Sequence, residues 1–309
     1  MKEINTKTYK IAFGQSGYSI LNSLIENNNY SKVSVLVDNN TEKFCLGVFK
    51  PTSIGRYGLF KAVSDGKKLL KDEEDEWSNV VTRFHKICNH ALINKTKILI
   101  DAEEYEVQKA IDELALEMMK SYNKEYVIVY NTIQLYRWDR IDYLNKLFKD
   151  YSKSKFNFGF KLVRGAYMEK ERLLAKNGNY KSPICSSKNE TDLNFNKAID
   201  LMFKHIKKAD FFIATHNEFS NYKVIDLMKK NEIKNNSDKI WFGQLYGMSD
   251  NITFNLASEG YNVAKILPFG PVENLVPYLI RRAQENSSFE GQSSRELSLL
   301  KKELLRRSS

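Results

Sequence analysis

Short apolar runs alternate along this chain with longer stretches in which apolar residues recur every three or four positions. The first pattern suits a buried strand and the second an amphipathic helix. Residues 1–45 read as β-α-β: Tyr9-Lys-Ile-Ala-Phe13 as a strand, a turn at Gly14 and Gly17, a helix through Leu21, Leu24 and Ile25, and a strand at Val33-Ser-Val-Leu-Val37. Further strands are predicted at Gly47-Val-Phe-Lys50, Ile98-Leu-Ile100, Tyr126–Tyr130, Phe158–Leu162, Phe211-Phe-Ile-Ala214, Lys239-Ile-Trp-Phe242 and Asn262–Leu267. The clearest helix carries Trp77, Val80, Val81, Phe84, Ile87, Cys88 and Ala91 on one stripe, with acidic Asp72 to Glu76 at its start, where the helix dipole favours them. Other helical faces are Val107, Ile111, Leu114 and Met118; Ile141, Leu144 and Leu147; and Leu193, Ala198, Ile199, Met202 and Ile206. A last one carries Leu275, Tyr278, Leu279 and Ala283.

After residue 45 this gives seven strands, most followed by a helix and each ending in a polar cluster. That alternation calls for a parallel α/β sheet, and its length suits a (βα)8 TIM-type barrel, which typically takes about 250 residues. The chain has 309 residues, 42% of them apolar, enough to build a large core without staples. Cys45, Cys88 and Cys185 are far apart and form no CxxC pair, which argues for a reducing compartment and against a disulfide framework or zinc site. The expected location is the cytoplasm, with peripheral association at the inner face of the membrane left open by the net charge of +10. The lysines are scattered, unlike the clustered cations of a nucleic-acid protein. No apolar run reaches membrane-spanning length.

The strand ends carry the chemistry. Lys50, Asp101, Gln134, Lys161 with Arg164, Thr215 with His216, Gln244 and Ile266 would converge on one mouth of a barrel. One histidine and the Asp101 and Glu103 carboxylates are too few for a zinc or two-metal centre. The set is rich in donors and suits a large anionic or heteroaromatic ligand, such as a flavin with its pyrophosphate. Small Gly165 and Ala166, after the strand at Phe158, allow a ligand or backbone to come close.

From about Val48 to Arg295 the chain resembles the proline dehydrogenase family. The resemblance is carried, in the family's order, by Phe49-Lys-Pro-Thr52, Asp101-Ala-Glu-Glu104, Asn131-Thr-Ile-Gln134, Lys161-Leu-Val-Arg-Gly-Ala-Tyr167, Ala214-Thr-His-Asn217, Phe242-Gly-Gln-Leu-Tyr-Gly-Met248 and Tyr278-Leu-Ile-Arg-Arg-Ala-Gln-Glu-Asn286. It implies a distorted (βα)8 barrel that binds FAD and oxidises L-proline to 1-pyrroline-5-carboxylate, passing a hydride to flavin N5 and the electrons on to a quinone or another acceptor. By motif, Lys161 would lie at the N5 edge. Gln134, Val163, Arg164, Ala166, Thr215, His216, Asn217 and Gln244 would line the flavin, and Lys188 would meet its phosphates. Lys50, Asp101, Arg281, Arg282 and Glu285 would bind proline. A carboxylate substrate wants a guanidinium fork, and donors near N1 and N5 stabilise reduced flavin.

Two departures bear on this. Most of the family has a tyrosine where Ile266 stands. The family also has one more strand and helix before Phe49, where this chain has residues 1–45. That segment is similar to the N-terminus of a 3-dehydroquinate synthase through Gly17-Tyr18, Val33–Asp38 and Asn40–Cys45. The expected organisation is therefore a βαβ segment over 1–46, a barrel over 47–296 that lacks its first strand, and a basic tail over 297–309. Two functions follow from it: a working flavin-dependent proline dehydrogenase, or a fusion of two enzyme fragments with weak activity or none.

Overall fold

A computed structural model of the chain describes residues 3–5, 10–12, 46–246 and 248–266, with 276, 280, 301, 302 and 304–307 beyond them. The chain divides into two units, Met1–Leu267 and Pro268–Ser309. In the second unit the described residues are helical and exposed.

At the start of the first unit, β1 (Glu3–Asn5) pairs antiparallel with β2 (Lys10–Ala12), Ile4 opposite Ile11. The strand expected at Tyr9–Phe13 is therefore present in shortened form, and its partner lies upstream of it. The helix and second strand expected before residue 45 lie outside the described residues.

Among the described residues the core of the unit is a parallel sheet of seven strands in sequential order. They are β3 (Leu46–Phe49), β4 (Lys97–Ile100), β5 (Val129–Gln134), β6 (Phe158–Val163), β7 (Ala209–Ala214), β8 (Ile240–Leu245) and β9 (Val263–Ile266). Between them run α1 (Tyr57–Ser64), α2 (Lys71–Ile93), α3 (Tyr105–Tyr122), α4 (Arg140–Asp150), α5 (Met168–Asn177), α6 (Lys188–Lys204), α7 (Glu218–Lys230) and α8 (Asp250–Ser258). Every strand connection crosses over to a parallel neighbour, which curls the sheet in the TIM-barrel manner. Among the described residues β3 and β9 each have one neighbour in the sheet.

Strand parity sorts the side chains. Ile98, Ile100, Val129, Ile133, Phe158, Phe160, Leu162, Phe211 and Phe242 face the helices and build the large core with Phe60, Phe84, Ile111, Leu144, Phe195 and Val224. Leu99, Tyr130, Phe212 and Trp241 occupy the other face, with Val48, Ala214 and Ala264 against them. This second cluster plugs the interior of the curled sheet, so the inward residues nearer the C-terminal strand ends (Lys50, Asp101, Lys161 and Ile266) are left for other work.

Several expectations shift. The fifth strand starts three residues after the predicted start, at Val129 rather than Tyr126, and its polar end is itself strand, all of it buried. Asn131 is tolerated there because its Nδ2 donates to Asp112 on α3 at 2.9 Å. Helix α1 was not foreseen; its short apolar face is Leu59 and Phe60. On α6, Leu193 is 58% exposed, and the buried face runs instead through Thr191, Phe195, Ala198, Ile199, Met202 and Phe203.

The turn after β6 depends on Gly165. Its φ is +139°, a region that L side chains rarely adopt, and a Cβ there would lie 2.5 Å from carbons of the Tyr136 ring. Gly165→Ala is expected to cost on the order of 1–3 kcal/mol. An unchanged melting temperature would show that the loop relaxes freely.

Candidate functional site

The inward C-terminal ends of β3 to β6 hold a connected polar cluster. Lys161, opposite Thr132 in the strand register, is 5% exposed, and its ammonium donates to Asp101 Oδ1 at 2.5 Å. A buried ammonium needs such a partner, since an unpaired one would be driven to neutrality. Lys50, just past β3, is exposed and donates to the Tyr167 hydroxyl at 2.8 Å. Loss of hydration works against its charge, but Asp101, Tyr167 and Glu103 outweigh this and push its pKa above the ordinary lysine range. The ammonium is therefore charged at any physiological pH and can meet an anion.

Gln134, the last residue of β5, joins two loops of the mouth. Its Nε2 donates to the Glu103 carbonyl at 2.8 Å, and its Oε1 accepts from the Ala166 amide at 3.3 Å. Beside it, Thr132 Oγ1 is buried with no hydrogen-bond partner among the described residues. An orphaned hydroxyl next to a paired lysine is unusual in an interior, and it suits a polar ligand. Val163 is half-buried and Ala166 exposed, so backbone and small side chains line this side.

A second cluster lies past the ends of β6 and β7. Arg164 donates through Nε to Asp192 at 2.7 Å, through one terminal nitrogen to Thr215 Oγ1 at 2.6 Å and through the other to Ser220 Oγ at 3.1 Å. Its guanidinium also lies over the Phe195 ring, 4.4 Å from the centroid. Lys188, the first residue of α6, shares the same carboxylate at 2.7 Å. Burial tends to raise the Asp192 pKa, but the Lys188 and Arg164 bonds win and lower it. Thr215 Oγ1 also accepts from the Asn217 amide, and Asn217 Oδ1 caps α7 by accepting from the Ser220 amide. His216 Nδ1 lies 3.0 Å from Ser249 Oγ.

Gln244 meets the second cluster only at the Thr215 backbone. Strand parity turns it toward α8, where Thr253 Oγ1 donates to its Oε1 at 2.8 Å while its Nε2 donates to the Thr215 carbonyl at 3.3 Å. Ile266, the last residue of β9, is half-buried. Arg281, Arg282 and Glu285 lie outside the described residues.

The strand-end reading missed Tyr167, Asp192 and the role of Glu103. Tyr167 sits inside the Lys161–Tyr167 motif, so only its role was hidden. Asp192 follows Lys188 at i+4, the spacing of a helical ion pair, and that signal was available. Behind the site a buried network supports it. Asp112 accepts from Gln108, Asn131 and Arg140 at 2.8, 2.9 and 2.7 Å. Arg140 and Arg137 both grip Asp139. Burial opposes ionisation of Asp139, and the two guanidinium groups overcome it, holding its pKa down to about 2.

The chain has clear relatives. A family model described as proline dehydrogenase matches residues 6–295. The carbapenem antibiotics biosynthesis protein CarD of Pectobacterium carotovorum subsp. carotovorum is 34% identical over 267 residues, 86% of this chain and 69% of that protein. Proline dehydrogenase 1, mitochondrial, of Caenorhabditis elegans is 36% identical over 248 residues, and there the match covers 79% of this chain and 40% of the relative. The chain thus spans less than half the length of that protein. Among solved structures, proline utilization A (PutA) from Bdellovibrio bacteriovorus superposes with a TM-score of 0.69 at 23% identity, over 79% of this chain and 24% of the other. At that identity the likeness shows the fold.

Proposed function

Because this chain belongs to the proline dehydrogenase family, we propose that it catalyses the oxidation of L-proline to 1-pyrroline-5-carboxylate with FAD as cofactor. The observation that carries this reading is the buried Lys161–Asp101 pair beside the charged Lys50 at one end of the curled parallel sheet. The donor set and the orphaned Thr132 hydroxyl fit a flavin. Lys161 is assigned to the N5 edge. Gln134, Val163, Arg164, Ala166, Thr215, His216 and Asn217 are assigned to the rest of the flavin, with Lys188 at its phosphates, and Gln244 is assigned to it through the Thr215 carbonyl that its amide holds. When bound, the flavin supplies the hydride acceptor; the one proton released in the oxidation leaves from the substrate amine.

The chain's own residues have separable tasks in this scheme. The Lys50 ammonium attracts the substrate carboxylate, a task shared with Arg281 and Arg282 by their motif, and Glu285 is assigned to the proline site beside them. Asp101 pairs with Lys161 inside the sheet and fixes where its ammonium points. Lys161 in turn offers positive charge where negative charge develops, in a place with little water to screen it. Arg164 and Lys188 offer the cations that a diphosphate needs. A quinone is the proposed electron acceptor, and the cytoplasm, with peripheral contact to the inner face of the membrane, the proposed place. The test is anaerobic addition of proline to the purified yellow protein. Bleaching of the flavin bands with formation of the cyclic imine is expected, and bound flavin that proline leaves oxidised would sink the proposal.

Substrate choice should run through Ile266, where most of the family has a tyrosine. Ile266→Tyr restores an aromatic face at the end of β9 and is expected to raise the preference for proline over hydroxyproline by about tenfold. The ratio of the two kcat/KM values measures it, and an unchanged ratio removes Ile266 from the substrate pocket.

A further inference from the structure

The mouth contains a buried carboxylate that none of the roles above uses. Glu103 is 4% exposed, and both its oxygens grip one residue. Oε1 accepts from the Thr52 amide at 2.8 Å and Oε2 from the Thr52 hydroxyl at 2.6 Å. Thr52 lies in the single helical turn Pro51–Ser53, which starts directly after Lys50. Glu103 is itself fixed from both sides: its amide donates to Gln108 Oε1 and its carbonyl accepts from Gln134 Nε2, each at 2.8 Å. Burial pushes its pKa up, and the nearby Lys50 charge and the Thr52 bonds pull against that.

The grip ties two loops of the mouth together. Among the described residues β3 pairs with β4, and the carboxylate past the end of β4 holds the turn past the end of β3 through two hydrogen bonds. We propose that Glu103 is a positioning residue: through Thr52 it fixes the Pro51–Ser53 turn and thereby aims the Lys50 ammonium at the carboxylate of the substrate. This rests on the proline reading for the identity of the substrate, but not for the coupling between Glu103 and Lys50.

Two measurements separate those parts. In steady-state kinetics, Thr52→Val removes one hydroxyl and little else, and Glu103→Gln turns one acceptor into a donor. Each is expected to raise the KM for proline about tenfold, the effect of one hydrogen bond to a charged group, with a much smaller change in kcat. Thr52→Ser should restore the original KM. In a Lys50→Met background the Glu103→Gln change should add almost nothing, since both act through one ammonium. Independently of substrate, competitive acetylation at alkaline pH, read by mass spectrometry, should modify Lys50 several-fold faster in Glu103→Gln and in Thr52→Val. The proposal falls if Lys50 labels at the same rate in all variants, if the kinetic losses are additive with Lys50→Met, or if they simply follow a lower melting temperature. Faster labelling in a protein that does not oxidise proline would uphold the positioning role and overturn the substrate assignment.

Discussion

Asp112→Ala is expected to cost about 3–5 kcal/mol of folding stability, the usual result of removing one partner from a buried ion pair. The carboxylate is 6% exposed and accepts three hydrogen bonds, from α3, β5 and α4. Its loss strands the Gln108 and Asn131 amides in the interior. Arg140 keeps Asp139 as a second partner, so its charge is not orphaned outright, and the loss should fall toward the lower end of that range. In a chain of this size the melting temperature should drop by roughly 5–10 °C. Flavin content per folded molecule should hold, because Asp112 faces the helices. A drop of under about 1 kcal/mol would mean that water replaces the carboxylate, as it does at exposed pairs.

The largest loss of activity is expected at Lys161. Lys161→Met keeps the length and apolar stem of the side chain and removes the only charge that β6 points into the sheet. Under the proposed function, kcat should fall by about 100-fold or more, as when a fixed donor to developing negative charge is deleted. Asp101 loses its 2.5 Å partner in the same step, so proline affinity should weaken as well. Stability should fall less than in Asp112→Ala, because Asp101 is about a quarter exposed at its side chain and can take up water. The measurement is proline-dependent dye reduction, normalised to bound flavin from absorbance. A variant with normal flavin content and near-normal kcat would show that Lys161 is a structural cation of the sheet interior.

The two experiments probe opposite faces of the same sheet, and that division was only half visible in the chain itself. Alternation along Phe158–Leu162 and the stripe from Trp77 to Ala91 record local periods of two and 3.6 residues, so strands, helices and the parallel order were legible. Polar residues at successive strand ends, Lys50, Asp101, Gln134, Lys161 and Thr215, pointed to a common mouth for the same reason. What a side chain meets there was not legible. Gln244 sits in a strand-end motif like the others, yet its parity in β8 sends it to Thr253 on α8. The fifth strand runs on past its apolar run to Gln134, because Asn131 finds a buried partner 19 residues upstream in Asp112. Glu103 read as half of a carboxylate pair, and its task appeared only once β3 and β4 stood side by side and brought Thr52 within reach, 51 residues away. The sequence by itself determined most of the sheet strands and long helices and which strand ends carry charge, since both follow from neighbours in the chain. The pairing of those charges, Lys161 with Asp101, Arg164 with Asp192 and Glu103 with Thr52, was decided by the tertiary structure alone, because strand register and the curl of the sheet set the distances over which hydrogen bonds and ion pairs act.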